Sequence, residues 1–154
     1  MENMNASLKK RIDNKGFFVC DEFTNEVSDT LIDVDVPEGL YKPKWDGSKW
    51  VEGDEEAAQK HLKEQQRSKA KADRDKALNS ITYTLDDGSV YQVRPQDVPN
   101  FQLAIQRNVD VDWILADNTI RTTTVAELQE ILDAGIQEGI KIWDAYTQKL
   151  KEIG

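Results

Sequence analysis

The chain has 154 residues, 38% of them hydrophobic, and a formal net charge of -9. That length suits one domain or two very small ones with little buried volume per residue. The acidic balance excludes the electrostatic footprint that neutralises nucleic-acid phosphates or draws a chain to an anionic membrane, and Cys20, the single cysteine, excludes an internal disulfide.

Residues 1–15, MENMNASLKKRIDNK, are polar and are expected to form an N-terminal arm, either a short helix or a loose segment. No leader is expected there, and no run of about 18 apolar residues predicts a membrane span. One cysteine suits a reducing cytosol but leaves the compartment open. Gly16 then opens the apolar run FFVC, and LIDVDV at 31–36 alternates with period two, so both read as strands. Pro37 and Gly39 break the second run, and residues 16–53 are expected to form a small β-rich domain that is marginal alone.

Within that domain, YKPKWDGSKWVEG sets Trp45 and Trp50 around a turn. A tight turn centred on Gly47-Ser48 faces Asp46 to Lys49 and Trp45 to Trp50 across two strands. Two readings follow: an aromatic pair that closes a small core, or a platform on which Tyr41, Trp45, Trp50, Asp46 and Lys49 bind a partner or a sugar.

Residues 54–80 are rich in helix formers, free of Gly and Pro, and acidic at the start, which predicts a polar connecting helix. Glu56 with Lys60, Lys69 with Asp73 and Lys71 with Asp75 stand four apart as candidate ion pairs. Leu62 and Leu78 are its only large apolar residues. Such a helix is either a solvated connector or a site where sparse Ala and Leu positions meet copies of the chain in a homo-oligomer.

In ITYTLDDGSVYQV the register follows from the faces. A two-residue Asp87-Gly88 turn mixes apolar and polar groups, whereas a three-residue Asp86-Asp87-Gly88 loop pairs Tyr83 with Tyr91 and Ile81 with Val93 on one apolar face. The second register is expected. Pro99 predicts a helix over 98–108, and VDWILADNTIRTTT predicts two short strands around Asp117-Asn118. Thr124 and Glu127 form a capping-box signature. From there Val125, Leu128, Leu132, Ile136, Ile140, Trp143, Tyr146, Leu150 and Ile153 predict one long helix whose wide apolar face covers a sheet built from the preceding strands. Residues 81–154 are therefore expected to form an α+β domain, and the chain an α+β protein.

Residues suited to chemistry are sparse. His61 stands alone without a second His or Cys at metal-ligand spacing. Cys20, in an apolar strand, is expected to be a buried small hydrophobe. The acid pairs Asp33/Asp35, Asp86/Asp87 and Asp110/Asp112 fit turns or solvated strands, with neither an EF-hand spacing nor a phosphate loop nearby. The expectation is a protein that is not an enzyme and has no catalytic residue, metal or cofactor.

PEGLYKPKWDGSKWVEG followed by a polar helix resembles the P-x-W-[DN]-G-x-x-W segment of phage tail-fibre assembly proteins. The second half resembles a phage family of unassigned role encoded beside tail-fibre genes, in a pattern carried here by Arg74, Gly88, Trp113, Ala116, Asp117 and Asn118 and the Thr124 helix. The resemblance implies a chaperone-like protein that binds the distal part of a fibre in the host cytoplasm during assembly. Its alternative is a permanent tail-tip or baseplate component retained in the virion, contacting cell-wall sugars through the Trp hairpin. In both, the partner is a tail-fibre or tail-tip protein, with no nucleic acid and no membrane.

Overall fold

A computed structural model describes residues 5–154. Of the expected N-terminal arm, residues 1–4 lie outside the described residues, and the rest is neither helix nor loose segment. Strand β1 (Ser7–Ile12) is the middle strand of an antiparallel sheet with β2 (Phe18–Thr24) and β3 (Leu31–Ile32), in the order β2-β1-β3. A polar strand holds the centre because its neighbour supplies the opposite charges. Lys9 stands opposite Glu22 and Lys10 opposite Asp21, and opposite charges across a ladder stabilise the pairing. Lys10 Nζ reaches Asp21 at 2.5 Å, Arg11 binds both carboxylate oxygens of Glu22, and Lys9 Nζ donates to the Glu26 carbonyl at 2.6 Å.

The strand expected over LIDVDV is shorter. Only Leu31–Ile32 pairs with β1, and beyond it the Val34 carbonyl accepts a hydrogen bond from the Trp50 indole at 2.8 Å. Strands β4 (Pro43–Trp45) and β5 (Trp50–Glu52) form a separate hairpin, so the strands of residues 16–53 fall in two sheets, linked by a bridge between Phe17 and Lys44 and by Trp45 N–H on the Gly16 carbonyl at 2.8 Å. Cys20 is exposed, contrary to the buried position its apolar run predicts, because among the described residues its face of this thin sheet is left open to solvent.

Helix α1 (Glu55–Leu78) starts where Asp54 Oδ1 accepts the Ala57 N–H at 3.0 Å, with Glu55 and Glu56 in the first turn. Both features favour a helix N-terminus. Of the three expected ion pairs only Lys69–Asp73 forms among the described residues, at 2.7 Å, and Asp75 takes Arg74 instead. The chain divides into two compact units inside this helix, residues 1–65 and 66–154.

In the second unit β6 (Thr82–Thr84) and β7 (Val90–Gln92) pair in the three-residue register. Tyr83 stands opposite Tyr91, and Val93 N–H bonds the Ile81 carbonyl at 2.9 Å. Gly88 takes φ +86°, and its loop is closed by Leu85 N–H on the Ser89 carbonyl at 2.9 Å. Helix α2 (Val98–Arg107) begins with Pro99 in its first turn and ends at Asn108, φ 54°. Strands β8 (Val111–Ile114) and β9 (Ile120–Thr123) make the second hairpin, and α3 (Val125–Ile153) follows.

These hairpins do not merge into the single sheet expected under α3. They remain two-stranded sheets linked by Ala116 N–H on the Val90 carbonyl at 2.9 Å. The core gathers Ile81, Tyr91, Val93, Phe101, Leu128 and Ile131, and Tyr91, Phe101, Leu128 and Ile131 are completely buried. The capping box at Thr124 is half-formed. Glu127 N–H donates to Thr124 Oγ1 at 3.2 Å, while the Glu127 carboxylate binds Arg121.

The apolar face of α3 departs most from expectation. Leu128, Ile131, Leu132 and Gly135 are buried, whereas Ile136, Ile140 and Trp143 are 39%, 49% and 48% exposed. Successive residues turn about 100° on a helix, so the core-facing direction runs through residues 128, 131 and 135 and leaves 136, 140 and 143 beside it. Gly135 permits this contact, since a Cβ there comes to 2.1 Å from Val93 Cγ1.

Gly135→Ala is therefore expected to lose about 1–3 kcal/mol through overpacking, despite alanine's higher helix propensity, as a lower urea midpoint. A pH dependence follows from the turns. Asp13, Asp46, Asp87 and Asp117 each accept hydrogen bonds from their own loops, Asp13 first from Phe17 N–H, Asp46 first from Ser48 N–H, and Asp87 and Asp117 first from Ser89 and Thr119, and all four are held below the usual carboxylate value. Groups depressed in the fold contribute stability above their unfolded pKa, near 3.9, that is lost as pH falls through the folded value. Melting temperature should thus drop below about pH 4, and less steeply when all four are changed to Asn.

Candidate functional site

The sequence places five candidate partner-binding residues in the Trp hairpin, and the fold divides them. Gly47 at the first central position takes φ 105°, as a two-residue hairpin turn with a leading glycine requires. Asp46 N–H bonds the Lys49 carbonyl at 3.0 Å, and Trp45 stands opposite Trp50. The two rings meet edge to face, with centroids 5.4 Å apart at 67°. Trp50 is 7% exposed, its other side meeting Phe18 edge-on at 6.1 Å. Trp45 is half-buried and Lys49 exposed.

The Asp46 carboxylate is engaged within the turn. It accepts Ser48 N–H and Lys49 N–H, each at 2.8 Å, and the Ser48 hydroxyl at 3.1 Å. Those bonds, Ser48 N–H first, hold its pKa below the ordinary aspartate value. Two crossed rings with one buried stabilise a small fold through edge-to-face contact; they do not present a flat face.

Tyr41 points elsewhere. It is 51% exposed and stacks on His61 of α1, ring centroids 4.7 Å apart at 30°. The two rings line an open cleft of about 550 Å³ with Leu40, Glu52, Gln59 and Leu62. Partial desolvation pushes the Glu52 carboxyl up, and the backbone N–H groups of Tyr41, Asp54 and Lys42 outweigh it, leaving the carboxyl below its usual range. Both named polar liners are already engaged, Glu52 by those N–H groups and Gln59 Nε2 by Glu55 at 2.9 Å, so the cleft offers chiefly its aromatic faces. The contribution of His61 was not visible as such in the sequence, where it is one ring in a polar helix; its distance from Tyr41 in the chain gave no signal.

A second surface lies on the three-stranded sheet. Leu8 and Phe23 stand directly opposite each other on β1 and β2 and are 53% and 72% exposed. Val19, the extra residue where the register shifts, is 56% exposed. Strand β2 is an edge, and among the described residues no backbone group from Val19 to Thr24 bonds outside its own sheet. The sequence signal was the alternation Val19, Asp21, Phe23; it stayed hidden because the partner strand lay in the polar arm.

The acid pairs do not converge. Asp35 lies 3.8 Å from Lys10, Asp87 binds Arg121, and Asp112 accepts the Thr122 hydroxyl at 2.7 Å. Among the described residues no group of three or more His, Cys, Asp or Glu is placed to hold a metal ion, and no helix is long and apolar enough to cross a membrane.

In the second unit Arg74 lies 4.5 Å from the centroids of both Trp143 and Tyr146, a cation–π arrangement that leaves its guanidinium side chain 13% exposed. Trp113 packs on Phe101 with centroids 4.2 Å apart, and Ala116-Asp117-Asn118 form the β8–β9 loop, Asn118 at φ 64°. The residues that carry the second-half resemblance thus hold the fold together.

Geometry and topology define an α+β protein of two small modules with exposed apolar side chains on its sheet. The first module matches the YomQ N-terminal domain, a phage family, over residues 11–60. Residues 61–153 match the domain of unknown function DUF4376, and the chain belongs to that family. It is a phage protein. No curated protein and no solved structure matches it.

Trp50→Ala should cost about 3–5 kcal/mol, the range for emptying an aromatic core site, in urea denaturation. Tyr41→Ala, at an exposed ring, should leave the melting temperature within about 1–2 °C, since surface changes stay within ~0.5 kcal/mol.

Proposed function

We propose that this phage protein works by binding rather than catalysis, as a tail-fibre assembly factor whose N-terminal module grips the distal part of a fibre protein in the host cytoplasm. The observation that carries this reading is the Leu8–Phe23 pair, two large apolar side chains facing solvent across adjacent strands, next to the open edge of β2. Exposed apolar groups gathered on one sheet mark a surface that another protein covers, and an unpaired edge offers it a row of backbone donors and acceptors. The sequence resemblance supplies the fibre as partner. No cofactor enters this reading, and neither nucleic acid nor a membrane is a partner, in keeping with the charge of -9.

One observation favours a second reading, a permanent component of the tail tip or baseplate that touches cell-wall sugars. The Tyr41–His61 stack lines an open cleft with polar neighbours, which suits a sugar ring.

Co-expression with the product of the adjacent fibre gene separates them. The assembly factor should co-purify with a distal fibre fragment, should be required for soluble trimeric fibre, and should be missing from purified virions by mass spectrometry. Phe23→Asp, on a residue 72% exposed, should abolish co-purification while leaving the melting temperature unchanged. Stoichiometric presence in virions with fibre folding independent of the protein reverses the choice.

A further inference from the structure

We infer that the cleft between β7 and β8 takes an extended segment of a partner polypeptide, which pairs with the open edge of β8 and sets a basic residue opposite Asp112. This goes beyond the fibre-binding reading, which concerns the other module. The starting observation is two strand edges that face each other without pairing. Val93 N–H bonds the Ile81 carbonyl, and Leu115 N–H bonds the Thr119 carbonyl. Residues along an antiparallel strand bond to alternate sides, so Gln92 on β7 and Asp112 and Ile114 on β8 turn their backbone groups away from their own hairpins. The Ala116 N–H on the Val90 carbonyl at 2.9 Å shows that these outer sides meet.

Beyond that one bond no ladder follows. Arg94, on the β7 side, gives its N–H to Asp97 Oδ2 at 3.0 Å instead. Between the edges lies an open cleft of about 430 Å³, whose lining includes Gln92, Asn100, Asp112, Trp113, Ile114 and Asn118. Among the described residues the backbone groups of Asp112 and Ile114 bond to no other backbone outside their own hairpin. The amide side chains of Gln92, Asn100 and Asn118 are exposed.

Chemistry selects the occupant. Asp112 and Ile114 stand two residues apart on the strand, about 6.5–7 Å, and a polypeptide in extended form repeats the complementary N–H and C=O groups at that interval. The amides across the cleft both donate and accept, as a peptide group does, and so suit the side of the segment turned away from β8. Charge then sets its sequence. The Arg94 guanidinium is closed on Asp97 by two bonds, at 2.8 and 3.0 Å, which leaves exposed Asp112 as the uncompensated charge of the lining. On the same face Ile114 is 65% exposed, opposite Ile120 at 70%. A segment with a basic and an apolar residue two positions apart complements both across the ladder. The open strands of this chain, β2 and β8, carry no basic residue, so a second copy is not that complement.

The test is chemical-shift mapping and amide hydrogen exchange on the full chain with the acetylated, amidated peptide TKTVTKT, whose order is the same from either end. It should bind with a Kd below about 1 mM, shift the signals of Gln92, Asp112 and Ile114, and slow exchange at the Asp112 and Ile114 N–H groups. N-methylation of its valine keeps every side chain but blocks a ladder bond, and should weaken binding by about tenfold; this comparison needs no variant of the protein. The peptide TETVTET should bind about three- to tenfold more weakly, and Asp112→Lys should reverse that order. No binding at about 1 mM, equal binding of the N-methylated peptide, an order that Asp112→Lys leaves unchanged, or shifts confined to β2 or the Tyr41 cleft overturns the assignment. Protection of Asp112 and Ile114 that rises with protein concentration in the absence of peptide makes a second copy the occupant and overturns it too. Phe23→Asp leaves peptide binding intact, so this inference and the fibre-binding reading fail separately.

Discussion

The second unit depends on a hydrogen-bonded node beneath two hairpins that share almost no ladder. Tyr91 Oη and Thr123 Oγ1 lie 2.7 Å apart, both residues fully buried, and Arg121 Nη1 donates to Tyr91 Oη at 3.1 Å. The same guanidinium holds Asp87 at 2.9 Å, in the loop of the first hairpin, and Glu127 in the first turn of α3. One side chain thus joins both hairpins to the helix that covers them. Glu127, then Tyr91 and Asp87, raise its pKa above the ordinary guanidinium value, so the charge is fixed at any working pH. Buried hydroxyls in a dry core are costly when unpaired; here each is the other's partner, and the bond ties β7 to β9.

The first unit meets its shortage of apolar residues differently. Its central strand is SLKKRI, and the ladder to β2 sets Lys9 and Lys10 against Glu22 and Asp21. Lys9 and Lys10 are 7% and 9% exposed, their methylene stems covering apolar ground while the ammonium groups reach oxygen acceptors. Partly exposed ion pairs contribute modestly, but they favour this register, since a slip of one residue moves every side chain to the other face and sets Lys9 opposite Phe23 or Lys10 opposite Cys20. The Trp45–Trp50 contact and the Trp50 indole bond to the Val34 carbonyl then close the second, smaller sheet. A sheet organised by charge does not need Leu8 or Phe23 in a core, and both remain exposed.

Local rules were legible where one turn decides the structure. The Gly88 loop and the Gly47-Ser48 turn follow from turn length and face consistency alone, and the Tyr83–Tyr91 and Trp45–Trp50 pairs follow from the turns. The start of α1 at Asp54, the Pro99 helix and the Thr124 cap were equally local. What escaped the sequence was long-range. β1 looked like a polar arm because its partners, Asp21 and Glu22, lie eleven and thirteen residues beyond Lys10 and Lys9. The apolar residues of α3 predict an amphipathic helix, yet periodicity cannot say where along it the covering elements stop. The candidate site was divided for the same reason: Asp46 and Trp50 serve the hairpin itself, while Tyr41 finds His61 on another element.

A chain with 38% hydrophobic residues has few to withhold from its cores. Fold stability alone favours burying the largest of them, because each buried Leu, Ile or Phe contributes roughly 1.5–3 kcal/mol. Phe23, Ile140 and Trp143 instead stand between 48% and 72% exposed, while Lys9 and Thr123 occupy buried positions. Single exposed apolar residues are ordinary; a cross-strand pair on one module and three residues within one arc of a helix on the other are not scattered singly. The first cluster also sits next to the open edge of β2. Large apolar side chains missing from the two cores thus stand at the surface in clusters while lysine stems and a threonine fill buried positions, which is how a chain of sparse apolar composition distributes the few it has.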